Sequence, residues 1–169
     1  MSHSPATAAS FRLRDPVHLL AVGFGSGLAP WAPGTFGTVA ALPLFALLYL
    51  APLPLYLLLS GVAVVAGVWI CGRAAADVGV HDHPAIVWDE IAGFLIAALP
   101  LVLGFGSGQL LLDVAVIFVL FRLFDALKPW PICLLDRRLG GGLGIMADDI
   151  AAGVAAALLF LLLSGLWAV

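Results

Sequence analysis

Five apolar runs take up most of this 169-residue chain, at roughly 36–50, 53–71, 88–103, 110–127 and 145–169, and its ionisable residues fall almost entirely between them or at their ends. Crossing a bilayer as a helix takes about 20 apolar residues, so each run is long enough, or nearly so, to span. The first and third are short: the first contains Pro43 and the third opens with Asp89 and Glu90, which suits a tilted, protein-buried or re-entrant segment. With 63% hydrophobic and 10% charged residues, a soluble fold of this size could not hide its apolar surface. The expectation is an all-α, polytopic membrane helical bundle with four or five spans and a Gly-rich N-terminal loop. Residues 1–15 are expected to form a flexible cytoplasmic N-terminus and 16–169 a single membrane-embedded domain.

The turns between runs give the bundle its sidedness. Ala51-Pro52 and the uncharged segment from Gly104 to Gly108 belong on one side, whereas Arg12, Arg14, Arg73 and the basic loop from Lys128 to Arg138 belong on the other. Under the positive-inside rule that second face is cytoplasmic. Cys71 and Cys133 lack CxxC spacing and read as packing residues. A net charge of −3 without a basic stripe argues against a nucleic-acid partner. The polar start of the chain and the break at Gly23, Gly25 and Gly27 argue against a cleaved signal peptide.

Nine of the ten acidic residues fall on the cytoplasmic side, Asp113 being the exception. Two adjacent pairs, Asp89-Glu90 and Asp148-Asp149, each open a run. Carboxylates in a first helical turn can simply complement the macrodipole. That account fits Asp89-Glu90 less well, because Pro84 suits a first helical position and would set the pair more than a turn inside. Neighbouring carboxylates in an apolar setting need a cation to neutralise them, and all-oxygen donors favour Mg2+ over zinc or copper. Asp89, Glu90, Asp148 and Asp149 are thus the candidate metal ligands.

Arg122, Asp125 and Lys128 follow one another at i,i+3 spacing and share a helical face. They can be a snorkelling stripe at the membrane edge, or Arg122 and Lys128 can hold phosphate oxygens while Asp125 orients them or joins the metal shell. The segment GFGSGLAPWAPGTFGT, with Gly34 and Thr35 at the entrance to the first run, can present backbone amides to an anion or serve as a re-entry loop. In the triplet His81-Asp82-His83, Asp82 and His83 are candidates for a general acid toward a leaving alkoxide or for a further ligand.

Cysteine-based phosphate chemistry is excluded because Arg138 falls one residue early relative to Cys133, and no DxDxT segment offers an aspartyl nucleophile. Metal-activated water is the phosphatase mechanism that survives. Taken on residues alone, a small membrane carrier or channel subunit for a divalent cation is the alternative, although its path should carry polar groups at several depths and the middles of the runs hold almost none.

Four segments in order, GFGSGLAPWAPGTFGT, HDHPAIVWDE, FRLFDALKPWPI and GGLGIMADDIAAG, resemble phosphatidylglycerophosphatase A across nearly the whole chain. The resemblance implies a Mg2+-dependent, multi-pass phosphatase of the bacterial inner membrane, acting from the cytoplasmic face on a phospholipid substrate. It would convert phosphatidylglycerophosphate to phosphatidylglycerol, and its motif acids and bases fall on Asp82, Asp89, Glu90, Asp125, Asp148, Asp149, Arg122 and Lys128.

Overall fold

A computed structural model describes residues 11–134 and 139–167, and among these every regular element is helical. Helix α1 (Pro16–Ala21) leads into a 3-10 helix (Gly23–Leu28), followed by α2 (Pro33–Tyr49) and α3 (Leu53–Val78). Next come α4 (Trp88–Ala97), the short α5 (Leu99–Val102) and α6 (Leu110–Leu127), and last α7 (Gly141–Trp167). The expected N-terminal arm falls largely on residues 1–10, and Arg137 and Arg138 lie in the connection to α7; both are outside the described residues.

The long α7 is the centre of the bundle, with α3, α4 and α6 packed around it. Small residues make this possible, since backbones in an apolar bundle approach only where no side chain intervenes. A Cβ on Gly93 of α4 would meet the Asp149 carbonyl oxygen of α7 at 2.8 Å, and one on Gly153 of α7 would collide with the Gly93 carbonyl. A Cβ on Gly142 of α7 would likewise strike the Val68 carbonyl of α3. Around this seam lie Phe94, Phe121, Ile91, Ile117, Met146 and Phe160, all buried. Gly153→Val should therefore force α4 and α7 apart and destabilise the fold by about 1–3 kcal/mol, read as a lower melting temperature in detergent.

Side-chain hydrogen bonds add specificity that packing alone lacks. Trp88 Nε1 donates to the Ala63 carbonyl at 3.0 Å, tying α4 to α3, and the Tyr56 hydroxyl donates to the Leu95 carbonyl at 2.6 Å. Asp113, the one acid at the far end among the described residues, is buried and accepts the backbone N–H and hydroxyl of Ser107. That clasp closes the Gly-rich turn onto α6, a structural role.

The all-helical expectation holds among the described residues; the span count is met only in part, and two placements need correction. Among the described residues two helices, α3 and α7, are long and apolar enough to cross a membrane; α2 has only 17 residues, α6 carries Asp113, Arg122 and Asp125, and the third run breaks at Ala98 between α4 and α5. Pro100 explains the break, because it has no N–H to continue the α4 ladder and sits instead in the first turn of α5. First, Asp89-Glu90 lie in the first turn of α4, not deeper. Pro84 does not start that helix, because residues 84–87 are drawn aside: the Val87 N–H donates to the Ala21 carbonyl, and its side chain fills space that a Cβ on Gly37 would need. Second, α7 begins at Gly141, so Asp148-Asp149 sit two turns inside it and do not open it. The helix can start this early against α3 because Gly142 leaves room for the Val68 carbonyl and the backbone of Gly72.

Candidate active site

The N-terminal ends of α2 and α4, the C-terminal end of α6 and the second turn of α7 surround one cavity of 340 Å³. Its wall includes Gly34, Asp82, Asp89, Glu90, Arg122, Asp125, Lys128, Asp148 and Asp149. Two acid pairs far apart in sequence thus meet: carboxylate oxygens of Asp89, Glu90 and Asp149 all lie within 4.8 Å of one another. The glycine seam causes this. With α4 and α7 in backbone contact at Gly93 and Gly153, residues one turn away on each helix must face each other across a few ångströms.

Asp89, Asp148 and Asp149 are buried, and Glu90 nearly so. The Asp89 carboxylate accepts the Glu90 N–H at 3.1 Å, but Glu90 Oε2 and Asp149 Oδ1 are buried without a hydrogen-bond partner. Buried carboxylate oxygens left unsatisfied are costly. An all-carboxylate donor set of this spacing fits a hard divalent cation, and Asp89, Glu90 and Asp149 are the residues placed to hold one.

The two cations stand on either side of the acids. Arg122 Nη1 bonds the Asp125 carboxylate and lies 3.9 Å from Glu90 Oε1, and Lys128 Nζ lies 2.5 Å from Asp148 Oδ2. Lys128 does not continue the α6 stripe: it follows the helix with φ 40° and turns across to α7. Three cavity residues other than glycine, Ala32, Asp82 and Lys128, adopt positive φ, at 48°, 52° and 40°. Strained backbone of this kind persists where the surroundings over-determine it, and it gathers at functional sites.

Gly34 lines the cavity, and its missing side chain matters: a Cβ there would clash with Glu90 Oε1 at 2.2 Å and lie 3.2 Å from both terminal nitrogens of Arg122. Gly34→Ala should leave α2 intact, since alanine is the better helix former, yet displace Glu90 and Arg122. We expect roughly a hundredfold loss of turnover from such a shift, with an unchanged circular dichroism spectrum.

Not every candidate arrives. Thr35 does not line the cavity; its N–H donates to the Ala32 carbonyl at 3.0 Å, helping to start α2. The His81-Asp82-His83 triplet points three ways. His81 Nε2 accepts the Gly141 N–H at 2.9 Å and so caps α7, Asp82 faces the cavity, and His83 accepts the Ala85 N–H and packs edge-on against Phe11. A second charged cluster, absent from the sequence reading, joins Asp15, His18 and Asp77. His18 Nδ1 accepts the Arg12 N–H, so its Nε2 carries the proton directed at Asp77, which also receives Arg73. It fastens α1 to α3 away from the cavity, and no local spacing in the sequence could have signalled it.

The phosphatidylglycerophosphatase A profile matches residues 19–164. The chain belongs to the phosphatidylglycerophosphatase A family. It is 45% identical over 155 residues to phosphatidylglycerophosphatase A of Escherichia coli (strain K12), an alignment covering 92% of this chain and 87% of that one. Against phosphatidylglycerophosphatase A of Haemophilus influenzae it is 46% identical over 145 residues, covering 84% and 85%. No solved structure matches it. Membership in the phosphatidylglycerophosphatase A family makes the chain a phosphatase, which leaves the cation-carrier alternative without support.

Proposed function

We propose that the chain is a Mg2+-dependent lipid phosphatase that hydrolyses phosphatidylglycerophosphate to phosphatidylglycerol and phosphate at the cytoplasmic face of a bacterial inner membrane. The observation that carries this is the single cavity in which Asp89, Glu90 and Asp149 converge beside Arg122 and Lys128. Relatives named for this activity align along nearly the whole chain. A multi-pass topology accounts for the outward-facing Leu47, Leu58, Val65, Leu111 and Leu162 on α2, α3, α6 and α7, an apolar surface that needs lipid.

Asp89, Glu90 and Asp149 would hold Mg2+, with Asp148 beside them. Bound there, the ion supplies polarisation of the phosphoryl group and activation of water. The chain does the rest. Arg122 presents its planar fork to two phosphate oxygens, held in orientation by Asp125 and Glu90, while Lys128 neutralises a third. A bond forms from the water oxygen to phosphorus as the bond to the glycerol oxygen breaks in line. One proton would leave the water for a cavity carboxylate, and Asp82, exposed in the cavity wall, would relay one from solvent to the departing glycerol oxygen.

Purified protein in detergent should release inorganic phosphate from phosphatidylglycerophosphate with Mg2+ and stop when the metal is chelated. Divalent-ion flux in liposomes without phosphate release would overturn the assignment.

A further inference from the structure

Beside the catalytic cavity, a second cavity of 450 Å³ opens between α7 and the end of α6 with the turn that follows it, and its lining is almost wholly apolar: Phe124, Pro129 and Trp130 on one side, Ala151, Ala155 and Leu158 on the other. Helical periodicity joins the two. Asp148, Ala151, Ala155 and Leu158 follow one another at three- and four-residue steps, forming one stripe on α7, and Lys128, which ends α6, directly precedes Pro129 of the groove wall. The Lys128–Asp148 ion pair belongs to the wall of the catalytic cavity, and the groove lining starts one residue past Lys128 and about one helical turn past Asp148. At about 1.5 Å per residue, the stripe from Asp148 to Leu158 runs ~15 Å, which is one leaflet of a hydrocarbon core about 30 Å thick. Small Ala151 and Ala155 keep the groove open, and Trp130 stands 77% exposed at its rim beside the charged end, the position aromatic side chains favour at a membrane interface.

Resting on the lipid-phosphatase function above, we infer that the α6–α7 groove holds an acyl chain of the substrate, so that the lipid enters sideways from the leaflet with its phosphate delivered to Arg122 and Lys128. An apolar groove that starts next to the phosphate cations in the chain and follows the α7 stripe fits an acyl chain that never leaves the bilayer. It also divides the binding energy: the cations take the headgroup, and the seam takes the tail.

The test compares two substrates on the full-length protein in detergent: phosphatidylglycerophosphate with palmitoyl and oleoyl chains, and the same headgroup on glycerol without acyl chains. Ala155→Phe fills the groove and Val65→Phe places the same aromatic side chain on the exposed face of α3. We expect Ala155→Phe to raise KM for the diacyl substrate roughly tenfold while leaving kcat/KM for the chainless one unchanged, and Val65→Phe to alter neither. Ala151→Leu, a milder filling, should move the diacyl KM in the same direction. Equal losses on both substrates, or no effect of either groove variant, would overturn the inference while leaving the phosphatase assignment intact. A wild-type protein that hydrolyses neither substrate would remove both.

Discussion

Asp149→Asn should lower Mg2+-dependent phosphate release by about 10²–10³-fold while making the metal-free protein more stable, by about 1–3 kcal/mol. The two effects have one origin. Asp149 Oδ1 is buried without a hydrogen-bond partner and shares a 4.8 Å neighbourhood with the carboxylates of Asp89 and Glu90. In the absence of a cation this crowding is repulsive, and an amide of the same shape relieves it. In the proposed metal site the same oxygen would be a ligand, and the amide a poorer one. Thermal unfolding in detergent separates the states: Mg2+ should raise the melting temperature of the wild type and leave that of the variant nearly unmoved. A variant that retains full Mg2+-dependent turnover would remove Asp149 from the metal shell.

Arg122→Ala should cost both activity and stability, the first by about 10²–10³-fold in kcat/KM and the second by ~3 kcal/mol. Its guanidinium lies between Asp125 and Glu90, and only about a fifth of the side chain is exposed, at 22%. Removing it leaves two carboxylates in a weakly solvated wall without their shared counter-charge. Arg122→Lys sorts the contributions, because a lysine restores the charge but not the fork. Stability should recover for the most part and kcat/KM should not. Equal recovery of the two would mean that Arg122 serves only to balance charge.

Much of this site was legible in the sequence because its chemistry is carried by residue types that an apolar chain cannot otherwise accommodate. Asp89, Glu90, Arg122, Asp125, Lys128, Asp148 and Asp149 stand out against their surroundings, and all of them line one cavity. What local pattern could not convey was helix phase. Pro84 has every mark of a helix start, yet tertiary contacts of Val87 with the 3-10 helix and α2 hold residues 84–87 out of α4. Gly141, Gly142 and Gly144 have every mark of a loop, yet packing of Gly142 against Val68 and Gly72 of α3 puts them inside α7. Thr35 and His83 carry suitable chemistry at suitable positions in the chain, but one is spent on starting α2 and the other on the Phe11 ring. The Asp15, His18 and Asp77 cluster draws on groups from α3 and from the start of the chain, and only the folded arrangement makes it visible.

The glycine contact between α4 and α7 also decides how the acids can behave. Ligands on loops can breathe to suit whichever ion arrives, but here Gly93 presses on the carbonyl of Asp149 itself, so the jaws are helix backbones already touching. Such a grip has a fixed bite. A cation held there would meet carboxylates whose backbones cannot draw apart, a setting that would suit bonds of about 2.0–2.1 Å better than the longer, more numerous bonds of about 2.3–2.6 Å.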